Sequence, residues 1–144
     1  MTDQELLRRK APHYLPCYID QCPLHENCLH WLIGPEVDAD NLNVVCVNPT
    51  NPKVNSSNCP LYREARKGVY ARGMRHFFEL MPRTVEVNIK KSLISLYTRK
   101  RFYEYRNGRR LIAPEMQDII ATFCHNCGWT GDLRYDGWEE DFLW

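Results

Sequence analysis

Apolar positions fall into their clearest rhythm in the second half of the chain. Met74, Phe77, Phe78 and Met81 recur at three- and four-residue spacing, which predicts a helical stretch within residues 64–81, weakened at Gly68 and Gly73 and ended by Pro82. A second helix is predicted from Thr84, whose hydroxyl can cap it. Val85, Ile89, Leu93, Leu96 and Tyr97 form its apolar stripe, with Lys90, Lys91 and Ser92 on or near the opposite face. Residues 101–106 and 109–112 then flank Asn107-Gly108. Asn-Gly is the preferred pair for a two-residue type I′ turn, so a β-hairpin is predicted there. Pro114 suits the first turn of a further helix reaching Phe123, with Met116, Ile119, Ile120 and Phe123 inward.

The first half is less periodic. A short helix over residues 3–10 is stopped by Pro12 and Pro16. Residues 13–33 read as a cysteine-bearing loop and short helix closing at Gly34-Pro35. Asn43–Val47 reads as a β-rich run with Cys46 in its core. The polar stretch from Pro49 to Asn58 is dense in turn formers and reads as a boundary. The expected organisation is therefore a Cys-rich lobe over 1–61 and a basic half over 62–144. No apolar run reaches the ~18 residues of a membrane span, and the opening residues lack the apolar stretch of a secretory signal. A cytoplasmic protein with no membrane partner is expected.

Charge adds what periodicity does not show. The formal net charge is +1, but residues 63–110 hold 14 of the 19 Lys and Arg against four acids. Residues 1–62 are net −3 and residues 111–144 net −6. A basic block between acidic flanks implies a positive surface, or a solvated helix face neutralised by the acidic tail. Helix, helix and a hairpin tipped by Arg-Asn-Gly-Arg-Arg is the element order of a winged helix. DNA or RNA is thus the expected partner, with Lys90, Lys91, Arg99, Lys100, Arg106, Arg109 and Arg110 as contacts. Tyr103 and Tyr105 alternate with these residues and suit base stacking or cross-strand packing. An acidic protein partner, met by the same face with Trp138 and Trp144 as anchors, is the alternative.

Cysteine spacing carries the remaining chemistry. Cys17, Cys22 and Cys28 stand within twelve residues, and Cys59 follows in a second Cys-Pro-Leu. Four thiolates from two segments can enclose one tetrahedral metal, so zinc is expected, with an iron–sulfur redox centre or no metal as alternatives. Reduced cysteines packed as small hydrophobes are the competing reading. His25 and His30 lie inside the cluster and are possible replacement ligands. Cys124 and Cys127 form a CxxC that follows a helix instead of opening one, which does not favour a reactive thiolate. No Ser/His/Asp order or glycine-rich phosphate loop points to an enzyme.

In these cysteines, Asn48-Pro49, Tyr70–Met74, Arg110–Glu115 and the aromatic end at Trp144, the chain resembles a family of small uncharacterised proteins of gut Bacteroidota. The resemblance covers nearly the whole chain and implies a site at Cys17, Cys22, Cys28 and Cys59 over Cys46, Cys124 and Cys127. It implies no activity. The fold expected is α+β, a small Cys-rich N-terminal lobe packed on a winged-helix-like helix-helix-hairpin-helix half. The function expected is nucleic-acid binding in transcriptional control.

Overall fold

A computed structural model describes residues 1–144 and shows an α+β protein. The chain divides into two compact units, residues 1–67 with 142–144, and residues 68–141. No helix is long and apolar enough to cross a membrane.

The first unit opens with α1 (Asp3–Lys10), started by a capping box in which Thr2 and Glu5 satisfy each other's backbone N–H groups. Its acids lie in the first turn and its bases in the last, which suits the helix dipole. A single helical turn, α2 (Leu29–Leu32), follows the cysteine loop. Two small cores hold this unit. Leu6, Leu29 and Phe142 form one, and Ile19, Val47 and Val54 the other, with Cys17, Cys22 and Cys59 packed against it. The β-rich run at 43–47 is not a strand. Val44, Val45 and Cys46 are exposed, and only Val47 is buried, its N–H held by the carbonyl of Pro16. The run finds no partner strand, so β propensity alone does not organise it. Cys46 is accordingly a surface thiol and not a core residue.

The second unit contains α3 (Arg83–Tyr97), α4 (Arg99–Arg106) and α5 (Pro114–Asn126), with β1 (Lys67–Arg72) and β2 (Gly137–Phe142) apart from their end residues Lys67 and Phe142. The two strands pair as one antiparallel sheet. Helix α3 packs on both α4 and α5, and one apolar core joins Ile89, Leu93, Phe102, Tyr105, Ile112, Ile120 and Cys124. Pro114 stands in the first turn of α5, where its missing N–H has no cost.

Met74, Phe77, Phe78 and Met81 are buried as their spacing suggests, but the segment is strand and turns, not helix. Gly73 turns the chain at φ +76°, and the Asp136 carboxylate accepts the N–H groups of Arg75 and His76. These side-chain bonds replace helical carbonyls, while the same four side chains still bury about 1.5–3 kcal/mol each of hydrophobic free energy.

The predicted hairpin is the larger correction. Residues 101–106 belong to α4, and Asn107-Gly108 ends that helix. Asn107 is right-handed at φ −81°, and only Gly108 is left-handed at φ +73°. Gly108 N–H reaches the Tyr105 carbonyl at 3.1 Å and Arg109 N–H the Glu104 carbonyl at 3.0 Å. This is a Schellman closure of a helix, whereas a type I′ turn needs φ > 0 at both residues. There is therefore no wing between α4 and α5. The chain instead pairs Ile112 with Ala71 as an isolated antiparallel bridge.

Candidate functional site

Helices α3 and α4 meet at a single residue, Thr98. It has φ +81° and ψ 155°, a region that belongs almost wholly to glycine and is costly for a β-branched side chain. The corner is held because Thr98 N–H bonds to Ile94 O at 2.9 Å and Phe102 N–H to Thr98 O at 3.0 Å. The Thr98 hydroxyl also accepts the Arg101 N–H at 3.4 Å. Phe102, almost fully buried, anchors the start of α4 in the core. Arg99, Lys100 and Arg101 are thereby placed in the first turn of α4, all exposed and with no acid among them. Cations at that end oppose the helix dipole by about 0.3–1 kcal/mol each.

The expected contacts separate into two groups. Lys90 is engaged: its ammonium lies 2.6 Å from Glu86 and 4.9 Å from the centre of the Phe78 ring. That hydrogen bond is the main cause holding the Glu86 carboxyl below its usual range. Arg110 is also engaged, at 2.9 Å from Glu104. Lys91, Arg99, Lys100 and Arg109 are exposed and Arg106 half-buried, and none forms an ion pair. Arg101 joins this free set. Reading its segment as a strand hid it, and the available signal was Thr98, a residue type that favours a helix N-cap. Of the two tyrosines, Tyr105 is core, bonded through its hydroxyl to Met116 Sδ, and Tyr103 is exposed on α4.

The four cysteines singled out by spacing do come together. Cys17, Cys22, Cys28 and Cys59 line one small cavity of ≈ 20 Å³, along with His25, His30, Trp31 and Tyr62. Burial pushes the Cys17 thiol up, a hydrogen bond from the Ile19 backbone opposes this, and the other three thiols lie close enough to add to the rise. Each cysteine backbone is tied locally. Cys17 N–H donates to His30 O at 2.7 Å, and Cys22 O accepts both the His25 N–H and His25 Nδ1. Cys28 O accepts from Trp31 and Leu32, and Cys59 O from Tyr62. No group of three or more His, Cys, Asp or Glu side chains is already drawn into a geometry that could hold a metal ion.

His30 is committed elsewhere. Its Nδ1 faces the Leu15 carbonyl at 2.6 Å and so carries the proton, its Nε2 faces the Tyr14 hydroxyl at 3.4 Å, and its ring stacks on Tyr14. The two remaining cysteines sit in the other unit. Cys124 is buried in the core, which pushes its thiol up to about 11, and Cys127 caps the end of α5. Cys124 is therefore a thiol and not a reactive thiolate at neutral pH.

The chain belongs to a family of unknown function, DUF6078, whose model matches residues 1–144. No curated protein and no solved structure matches it.

Proposed function

We propose that this protein binds nucleic acid through the α3–α4 corner, as part of transcriptional control. The observation that carries the reading is a set of six cations without an ion-pair partner, Lys91 on α3, Arg99, Lys100 and Arg101 at the corner, and Arg106 and Arg109 at the far end of α4, all exposed but the half-buried Arg106. Phosphates are the partner chemistry that such a set favours, because each contact releases a condensed counterion. A guanidinium also forks onto two phosphate oxygens, so a corner rich in arginine suits them further. Exposed Tyr103 shares α4 with these cations and offers a stacking face to an unpaired base. With no wing beside it, the corner is the recognition element, and Lys90 and Arg110 are structural charges spent on Glu86 and Glu104.

The test is binding of labelled duplex DNA, single-stranded DNA and RNA followed by fluorescence anisotropy. The combined variant R99Q/K100Q/R101Q should lose about three units of salt slope on whichever polymer binds, one per phosphate contact removed. The variant K90Q should change binding much less. Equal losses from the two variants would move the interface away from α4. Binding to none of the polymers, with a stoichiometric acidic protein co-purifying, would replace nucleic acid by a protein partner.

A further inference from the structure

Of the cavities, charged patches and thiol pairs in the molecule, the cysteine-lined cavity of the first unit carries an inference independent of nucleic-acid binding. We infer that Cys17, Cys22, Cys28 and Cys59 take up a single Zn²⁺ as a closed tetrathiolate site, and that this ion staples the cysteine loop to the 54–62 segment.

Three features of the first unit point this way. The four thiols come from separate stretches of chain yet line the same cavity, while Cys46, Cys124 and Cys127 do not. The cavity, at ≈ 20 Å³, has room for about one water-sized sphere. That space accommodates a lone ion more readily than a cluster of four irons and four sulfides, and an assay for acid-labile sulfide distinguishes the two. The unit is also poor in other stabilisation. Its two cores have three buried apolar residues each, and the 38–62 stretch contains no helix or strand. Small units of this kind commonly rely on a metal to hold their loops.

Donor chemistry agrees. The surroundings of the thiols are apolar or aromatic, with Ile19, Val47, Val54 and Trp31 around them, which limits water access to bound metal. The backbone hydrogen bonds at each cysteine hold the four ligand-bearing segments in place around the cavity. Binding converts four thiols to thiolates, releases four protons to solvent and leaves the site with a formal charge of −2. His25 Nδ1 donates to the Cys22 carbonyl and steadies the backbone of that ligand, and the four thiolates complete a tetrahedron without its Nε2.

The experiment uses the full chain purified without chelator under anoxic conditions. Metal analysis should return about one zinc per chain. Titration with Co²⁺ should give thiolate-to-metal charge-transfer absorption whose intensity matches four sulfurs, together with a change in Trp31 fluorescence. C59S should lose the metal, and C46S and H25Q should keep it. Where C59S fails to fold, the cobalt spectrum of the unmodified chain still counts the thiolates. A metal-free protein that takes up neither Zn²⁺ nor Co²⁺, or one that yields iron with acid-labile sulfide, overturns the inference. Metal retained in folded C59S overturns the ligand set. None of these results depends on nucleic-acid binding.

Discussion

Replacing Gly108 and Asn107 one at a time separates a helix end from a hairpin tip. Gly108 has φ +73°, so Gly108→Ala puts a Cβ into the left-handed region at about 1–2 kcal/mol. The added carbon would stand 3.3 Å from Arg72 Cγ. That side chain has little freedom to retreat, because its guanidinium donates to Gly108 O at 2.6 Å and to Glu139 at 2.7 Å. The two effects place the loss near the upper end of that range. Asn107 is right-handed and exposed, so Asn107→Ala should stay within about 0.5 kcal/mol of the parent. Urea denaturation followed by far-ultraviolet circular dichroism measures both. At a slope of about 1–3 kcal/mol per molar, Gly108→Ala should lower the midpoint by roughly 0.7–2 M and Asn107→Ala should leave it in place. A type I′ hairpin requires φ > 0 at both residues, so equal destabilisation by the two substitutions would refute the helix-end assignment.

Gly73→Ala should be costlier than Gly108→Ala, since its Cβ would fall 2.4 Å from Asp136 Oδ2 and displace the carboxylate from the Arg75 and His76 amides. The same denaturation series would show it. Thiol labelling at neutral pH should modify Cys46 first and Cys124 last, with mass spectrometry giving the order. Because burial raises Cys124 to about 11, its contribution to stability is complete below the ordinary thiol pKa near 9 and lost as pH rises from there to about 11, at about 1.4 kcal/mol per pH unit. Cys124→Ala should flatten that alkaline decline.

Much of the second unit was legible because long apolar stripes and proline placement act locally. Helices α3 and α5 lie where Ile89, Leu93, Ile120 and Pro114 put them. The same stripe logic found the buried side chains at 74–81 but assigned the wrong element. A three- and four-residue spacing records which side chains are inside, and turns closed by a distant carboxylate can satisfy it as well as a helix. Asn107-Gly108 failed for a related reason. A left-handed glycine serves both hairpin turns and helix ends, and only the φ of its neighbour distinguishes them. At the candidate sites, the four cysteines grouped by spacing line one cavity. Charge density did not tell which cations are free, because that depends on where Glu86 and Glu104 stand relative to Lys90 and Arg110.

The slope of binding affinity against salt is the most direct measure of the central claim. Six free cations acting on phosphates predict that log K falls with log salt at about −5 on duplex DNA, or about −4 on a single strand. A slope near zero, or no binding at 50 mM salt, would contradict the assignment of the α3–α4 corner as a nucleic-acid surface.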